Sequence, residues 1–205
     1  MSLVIDSQSF PCIGYIKKLI SFKHVKIEAY ESFQKMSFRN RYVISGANKA
    51  IGLSIPIAGG REQKTLIKDV RIDNAIDWQT THWRTLLSAY NKAPFFDFYS
   101  LDVKNLIFSG ESNLISLNSK MLGWICKVLG ISAMVEFTDQ YIAHYDGQTD
   151  CRNYFLPKSF QKDTIHLIPK YPQVFEDRLG FQPNLSIIDL IFCMGPKASD
   201  LLARA

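Results

Sequence analysis

Apolar residues recur with period two near the start of this chain and with helical spacing further on. Residues 3–5 form a short apolar run followed by three polar residues, which is typical of a buried strand that opens into a loop. Pro11 suits the first turn of a helix, and the apolar positions between Ile13 and Ile20 share one side of that helix. Strand, polar turn and helix in this order predict the first βα unit of a sheet that binds ligands at the carboxyl ends of its strands.

Residues 24–30 alternate between polar and apolar side chains, which predicts a second strand. Glu28 shares the polar face of this strand with Lys26 and Tyr30. Two interpretations stay open: these neighbours hold Glu28 ionised within a site, or the face is an ordinary exposed strand face.

The later strands are predicted from turn signals and β-rich composition. Two of them, at residues 41–45 and 51–57, flank a Gly-Ala-Asn turn and form a hairpin. Two more are expected at residues 66–72 and 133–137.

Helical spacing predicts three further helices, at residues 76–93, 113–130 and 185–191. The first of these has its apolar stripe at Ile76, Trp83, Leu87 and Tyr90. Residues 141–171 show no sustained period and are expected to form a long loop, of the kind that is usually functional or mobile. The order of elements predicts one α/β domain over residues 1–205. We expect a three-layer, Rossmann-like mixed sheet flanked by helices, with a β-hairpin and a long C-terminal loop region.

Cysteine usage and hydropathy limit the class of protein. The four cysteines lack the close pairs and neighbouring histidines of a zinc site, and no GxGxxG fingerprint is present. We therefore predict neither a metal site nor a cofactor. The N-terminus does not read as a signal peptide, and the most apolar window, residues 187–194, is too short to span a bilayer. These features, with unpaired cysteines, predict a cytoplasmic protein without a membrane span, and they leave its oligomeric state open.

Positive charge is concentrated in one part of the chain. The net charge is +5, and residues 35–71 contain eight basic residues (Lys35, Arg39, Arg41, Lys49, Arg61, Lys64, Lys68, Arg71) against two acidic ones (Glu62, Asp69). This sector predicts attraction of an anionic small molecule such as a phosphate or a sugar nucleotide. A lysine-rich, solvated strand edge is the alternative. No recognition helix or aromatic strand accompanies the charge, so nucleic acid is not expected.

Residues 26–41 carry more polar side chains than a helical stripe or a strand alternation requires. Together with the polar residues after the first strand, they predict one concave site. We expect its ligand-binding residues to be Asp6, Gln8, Lys35, Arg39, Asn40, Arg41 and Trp78, and its general base to be Glu28 or His82.

His82 lies one helical turn after Trp78. The indole would desolvate the imidazole and favour its neutral form, which is the form that accepts a proton near pH 7. We expect one ring nitrogen to be free for a ligand. The alternative is that both nitrogens bond to protein groups and His82 joins the helix to a loop.

Seven stretches of this chain have a recognisable order and spacing: FPCIGY (10–15), IEAYESFQKMSFRNR (27–41), LSIPI (53–57), IKDVRID (67–73), WQTTHWR (78–84), SAYNKAPFFDFY (88–99) and YPQVFEDRLGFQPNLSIIDLIFCMGP (171–196). They resemble the WbqC-like proteins of bacterial surface-polysaccharide gene clusters. The resemblance is closest to a branch found in Bacteroidetes-like bacteria. Other branches have Gln-Pro in place of Asp6-Ser7 and an acid pair in place of Ala29-Tyr30. The resemblance implies a role in O-antigen or other glycan assembly.

Two functions from different classes follow. The first is a transferase acting on an activated amino sugar or a similar anionic donor, whose phosphate Lys35, Arg39 and Arg41 would bind. The second is a non-catalytic protein that uses the same residues to recognise a sugar nucleotide or a partner. Acids, bases and a histidine beside a basic wall favour the enzyme.

Overall fold

The predicted βα unit is present at the start of the chain. The computed structural model describes residues 2–59, 64–158 and 168–204. Strand β1 (Leu3–Asp6) leads into helix α1 (Ile13–Ile20), and β2 (His24–Glu28) returns parallel to β1. Leu3, Val4 and Ile5 have no exposed surface, although successive side chains of a strand point to opposite faces. Both faces of the sheet are therefore covered at β1, as a three-layer architecture requires.

The strand order of the main sheet changes direction at β1. With β5 (Met134–Phe137) and β6 (Thr149–Asp150), the order is β5-β2-β1-β6, and all pairings are parallel. The chain moves outward from β1 to β2 and β5, and then crosses to β6 on the opposite side of β1. Such a switch point is where α/β sheets bind ligands, beyond the carboxyl ends of the strands.

The hairpin is a separate antiparallel pair, formed by β3 (Arg41–Ile44) and β4 (Ile51–Ser54). The α/β class and the flanking helices are confirmed. Within the described residues the main sheet is wholly parallel, and the antiparallel ladder belongs to this hairpin.

Helix α4 (Leu114–Leu129) lies where helical spacing and its capping residues predict it. Asn113 accepts a hydrogen bond from the Ser116 amide at its start, and Gly130 ends it in the left-handed conformation at φ 64°. The other helices are α2 (Trp78–Tyr90), α3 (Phe96–Ile107), α5 (Glu176–Leu179), α6 (Ile187–Met194) and α7 (Lys197–Arg204).

Helix α3 was not predicted. The aromatic residues at positions 95–99 indicate a cluster in the core, but they do not by themselves indicate a helix. Its buried residues Phe96, Tyr99, Val103 and Ile107 nevertheless recur every three or four positions. Phe98, in the same aromatic stretch, is 77% exposed.

The strand predicted at residues 66–72 is wrong. A 3-10 helix (Ile67–Asp69) replaces it, flanked by single β-bridges at Leu66 and Ile72. Ile67 and Val70 are both buried, and residues three apart share one face of a 3-10 helix. The three-residue spacing of Ile67 and Val70 therefore fits the 3-10 helix better than a strand.

The apolar stripe predicted for α2 is correct at two of its four positions, since Tyr90 is fully buried and Trp83 packs against the core. The other two positions are wrong. Ile76 and Leu87 are 53% and 43% exposed, whereas Trp78, His82 and Leu86 are buried. Asp77 caps the helix by accepting a hydrogen bond from the Thr80 amide, so Ile76 precedes it. Because the polar residue His82 lies on the buried face of α2, the spacing of apolar residues did not reveal that face.

Most of the predicted loop at residues 141–171 is irregular, but it contains β6, which is too short to show a period. Residues 159–167 of this loop, and Arg61 and Glu62 of the basic sector, lie outside the described residues. No helix in the described part of the chain is long and apolar enough to cross a membrane.

Candidate functional site

A pocket of about 830 Å³ opens beyond the carboxyl ends of β1, β2 and β6. We call it the sheet-end pocket. One wall follows β2 in the chain and the other surrounds β6; the lining residues are Tyr30, Glu31, Ser32, Phe33, Gln34, Tyr141, Asp150, Arg152 and Asn153.

Arg39 joins the two walls of this pocket. Its side chain has no exposed surface, and its Nε donates to Glu31 Oε1 at 2.9 Å. Its Nη2 donates to Glu31 and, at 2.8 Å, to Asn153 Oδ1, while Nη1 lies 3.8 Å from Asp6 Oδ2. A buried guanidinium is stable only when it is paired in this way, so Arg39 fixes Glu31 and Asn153 relative to β1.

The backbone of Arg39 is held from two other elements. Arg39 lies in a 3-10 helix (Phe38–Asn40) whose cap residue Ser37 accepts a hydrogen bond from the Arg39 amide. The Arg39 carbonyl accepts a hydrogen bond from Asn118 Nδ2 of α4 at 2.8 Å, and Ser9 Oγ lies 2.9 Å from the same carbonyl oxygen. The loop after β1 and helix α4 thus set the position of this guanidinium.

Glu28, the last residue of β2, is fully buried and bound by four donors. The Tyr30 amide and Thr138 Oγ1 donate to Oε1 at 2.9 and 3.0 Å. Arg152 Nη1 donates to Oε2 at 3.1 Å, and the Tyr145 hydroxyl lies 3.5 Å from the same oxygen. The exposed-strand interpretation of Glu28 is therefore wrong.

Lys26 does not hold Glu28. It reaches Glu136 on the neighbouring strand β5, at 3.9 Å. The cation beside Glu28 is Arg152, which lies in the loop after β6 and more than a hundred residues further along the chain.

Arg152 links Glu28 to Asp150 and is flanked by aromatic rings. Its Nη2 donates to Asp150 Oδ2 at 2.6 Å, and its guanidinium carbon lies 5.2 and 5.0 Å from the ring centres of Tyr141 and Tyr145. Burial alone would raise the pKa of Asp150, but the hydrogen bonds and charge of Arg152 outweigh it and the pKa is lowered. Asp150 is therefore a stable anion in this site.

We call Asp6, Glu28, Glu31, Arg39, Asp150 and Arg152 the charged cluster. Burial raises the pKa of Glu31 to about 7; Arg39 opposes the rise, and the nearby charges of Asp6 and Glu28 add to it. Glu31 can therefore take up or release a proton near neutral pH, on the wall of the pocket.

Three buried polar atoms have no hydrogen-bond partner among the described residues: Gln8 Oε1, Arg39 Nη1 and Arg41 Nε. Gln8 Nε2 donates to Asp6 Oδ2 at 3.1 Å. Gln8 and Arg39, which carry two of these three atoms, both lie beside the Asp6 carboxylate. In the same described ranges, no group of three or more His, Cys, Asp or Glu side chains has a metal-binding arrangement.

Four of the predicted site residues come together: Asp6, Gln8, Glu28 and Arg39. Asn153 completes this group, since its amide donates to Asp6 Oδ1 at 3.0 Å. Its φ of 59° is a left-handed conformation that asparagine adopts more readily than most residues.

The other predicted binding residues lie outside this group. Lys35 is exposed, and Arg41 is half-buried with Nη1 3.8 Å from Met36 Sδ. Neither lines the sheet-end pocket: Lys35 follows the lining residue Gln34 in the chain, and Arg41 contacts Met36 of the same turn. Asn40 instead donates to the Ile55 carbonyl, and buried Trp78 donates from Nε1 to Asn74.

The expectation of a free ring nitrogen on His82 is wrong. Nε2 lies 3.2 Å from the Ser54 carbonyl oxygen, which can only accept, so Nε2 donates. Nδ1 then accepts from the Tyr42 hydroxyl at 3.0 Å. Burial lowers the pKa of His82 to about 4. His82 is neutral, as expected, but it joins α2 to the hairpin and does not line the sheet-end pocket.

Sequence reasoning did not select Glu31, Asp150, Arg152, Asn153 or Tyr141. Glu31 lies inside the polar stretch at residues 26–41, but no feature of the sequence distinguishes it from the other polar residues there. The other four lie in the aperiodic loop, whose length was the available signal. Pairing of β6 with β1 brings them to the site.

Comparison with known proteins gives one family and one distant relative. The chain is 25% identical to the uncharacterized protein Rv1507c of Mycobacterium tuberculosis (strain ATCC 25618 / H37Rv), over 97% of this chain and 96% of that protein. No solved structure gives a significant match. The WbqC-like protein family matches residues 6–151 and 143–201, which include every residue of the charged cluster. The chain therefore belongs to the WbqC-like protein family.

Proposed function

We propose that this protein is a transferase that acts on an activated amino sugar, or a similar anionic donor, in bacterial surface-polysaccharide assembly. The observation that carries the proposal is Glu31, a buried carboxyl on the pocket wall whose pKa is raised to about 7. A general base works best when its pKa lies near the working pH. The four cysteines are free, which supports a cytoplasmic location.

The chemistry of the pocket walls suits a sugar. Glu31, Gln34 and Asn153 present carboxyl and amide groups, and Ser32 and Tyr141 add hydroxyls. These groups donate and accept hydrogen bonds, as the hydroxyl and amino groups of a sugar do. The volume of about 830 Å³ is within the usual range for small-molecule sites.

In the proposed reaction a sugar amine or hydroxyl attacks the activated carbon of the donor. The new bond forms as the bond to the leaving group breaks, and the leaving group departs with its electron pair. Ionised Glu31 takes the proton of the nucleophile, and Arg39 holds the Glu31 carboxylate in orientation. Lys35 and Arg41, beside the rim, attract the anionic part of the donor.

Glu31→Gln tests the role of the carboxyl. The variant protein would be incubated with nucleotide-activated sugars and free amino sugars, and products would be detected by mass spectrometry. We expect turnover to fall by about 10²- to 10⁴-fold with sugar affinity retained, because glutamine hydrogen-bonds but does not accept a proton. Glu111→Gln, which removes a carboxylate paired with Lys120 at the surface, is the matched control and keeps full turnover. Equal activity of Glu31→Gln and the control would disprove the role of Glu31.

A second candidate is a non-catalytic protein that binds a sugar nucleotide or a partner. It is favoured by the mutual pairing of the charged cluster, since Arg39 and Arg152 are already bound to carboxylates. A rigid, internally paired wall is also what binding alone requires. Ligand affinity without any product in the same assay would select this function.

A further inference from the structure

A second, smaller opening lies between the loop after β1 and helix α4. It has a volume of about 50 Å³, and we call it the α4 crevice. It is lined by Ser7, Gln8, Tyr15, Ile27, Asn118, Ser119, Leu122, Val135, Glu136 and Phe137. A water molecule needs about 10–15 Å³ on this measure, so the crevice accommodates a group of roughly three to five non-hydrogen atoms.

One part of the crevice lining carries a buried acceptor without a donor. Gln8 is 3% exposed, and its Oε1 has no hydrogen-bond partner within the described ranges. Asn118 beside it is fully engaged: its Nδ2 donates to Ser7 Oγ and the Arg39 carbonyl, and its Oδ1 accepts from Ser9. A buried acceptor left unpaired is costly, so Gln8 favours a ligand with an N–H or O–H group.

The other part of the lining is apolar. Ile27 and Leu122 are buried, whereas Val135 and Phe137 on the edge strand β5 are 39% and 48% exposed. A small alkyl group in the crevice would remove these apolar surfaces from water, which is favourable. A water molecule in the same place would leave them hydrated. Ser119, on the exposed side of α4, supplies a hydroxyl that can donate.

We propose that the α4 crevice binds a short acylamide group, such as the acetamido substituent of an amino sugar. The amide N–H donates to Gln8 Oε1, the methyl group packs against Ile27 and Leu122, and the carbonyl accepts from Ser119. An acetamido group has four non-hydrogen atoms, which matches the size of the crevice. Gln8 also donates to Asp6 of the charged cluster, so the crevice is linked to that cluster through the Asp6 carboxylate. The assignment to an amino sugar rests on the proposed function; the acylamide site itself does not.

The first experiment compares an N-acetylated amino sugar with the free amino sugar by calorimetry. We expect the N-acetylated form to bind about tenfold more tightly, the usual discrimination for one small apolar group with a polar contact. Leu122→Phe, which fills the crevice, removes this preference. Leu101→Phe, on the exposed face of α3, is the matched control and keeps it. Ser119→Ala, at an exposed position, reduces the preference severalfold and serves if Leu122→Phe does not fold.

The second experiment uses acetamide alone as the probe. We expect acetamide to shift the NMR signals of the Gln8 side-chain amide in the unmodified protein and not in Leu122→Phe. If Gln8 responds to acetamide and no sugar binds, the crevice is supported and the sugar proposal fails. If Gln8 does not respond to acetamide, the acylamide site is overturned. If Gln8 responds but both sugars bind equally, the site stands and its assignment to an amino sugar is overturned.

Discussion

Two clusters in the described part of the chain bury carboxyl groups, and they differ in their partners and in access. Asp189 of α6 is fully buried and accepts hydrogen bonds from the hydroxyls of Tyr90 and Tyr171 at 2.6 and 2.7 Å. Gln173 adds a third donor at 3.2 Å. We call these four residues the tyrosine cluster. The charged cluster instead pairs its carboxylates with Arg39 and Arg152 and faces a pocket of about 830 Å³.

The comparison shows that burial of an acid does not by itself mark a functional site. Burial raises the pKa of Asp189 as it does that of Glu31. Neutral donors surround Asp189, and the donor Tyr90 ties α6 to α2. Tyr90 also accepts from the amide of Ser45, which follows β3, so the hairpin is held to the same group. Glu31 lies on a pocket wall, where a ligand can exchange a proton with it. Access, together with a pKa near neutrality, distinguishes the candidate site.

The largest expected effect comes from Arg39→Met. Removal of the guanidinium leaves Glu31 and Asp6 buried without their cation, and breaking a buried pair in this way costs about 3–5 kcal/mol of the free energy of unfolding. Urea unfolding measures the loss. Arg178→Met, at an exposed position on α5, is the control. A loss below about 1 kcal/mol would show that Arg39 is not the centre of the charged cluster.

Asp189→Ala should destabilise the protein by about 2–4 kcal/mol, because the hydroxyls of Tyr90 and Tyr171 lose their acceptor. The same unfolding assay measures the effect, with the exposed Asp200→Ala as control. Ligand affinity in the sheet-end pocket should not change. A loss of affinity at unchanged stability would contradict the distinction between the two clusters.

Glu31 should make the unmodified protein less stable as the pH rises from about 4.5 to about 7. The folded protein holds the Glu31 proton up to about pH 7, and the ordinary value is 4.5. The folded state therefore binds more protons in this window, and stability falls with rising pH by up to about 3 kcal/mol. Glu31→Gln should flatten this part of the stability profile. Parallel profiles for the two proteins would mean that the pKa of Glu31 is not raised.

His82→Gln should cost about 1–2 kcal/mol of stability, since glutamine replaces the bonds to Tyr42 and Ser54 incompletely. In the unmodified protein, the contribution of His82 to stability depends on pH with the opposite sign to that of Glu31. The His82 pKa is about 4 in the folded protein against the ordinary 6.5, so stability is lost as the pH falls from 6.5 towards 4. Thermal melts across this range check both statements. Turnover should remain normal, and a catalytic defect at full stability would restore His82 as a candidate base.

The smallest change in stability is expected for Lys35→Ala, within about 0.5 kcal/mol, because Lys35 is exposed. The variant should bind an anionic donor severalfold more weakly than the unmodified protein does. Because salt screens the charge of Lys35, this difference in affinity should shrink at the higher salt concentration. Calorimetry at two salt concentrations measures it, with Lys92→Ala, at an exposed position in the turn after α2, as control. Equal affinity of the two variants would remove Lys35 from the proposed donor site.

Much of the fold could be predicted from the sequence, and the site only in part. The residues of β1, α1, β2, the hairpin and α4 carry their own periodicity and caps, and such signals act within a few neighbouring positions. The polar density around Arg39 also pointed to the correct region. What failed were α3, the 3-10 helix at Ile67–Asp69 and the buried face of α2, where aromatic or polar residues obscured the period.

The sequence by itself determined the α/β elements and one half of the candidate site. Tertiary structure decided the other half, because the parallel register of β1 with β2 and β6 sets Asp6, Glu28 and Asp150 at one end of the sheet. Arg39 meets Asn153 across 114 positions of the chain, and no local pattern specifies such a pairing. The roles of Arg39 and Glu31 depend on that pairing, since burial and neighbouring charge fix an ionisable group's partners and pKa only after the strands have come together.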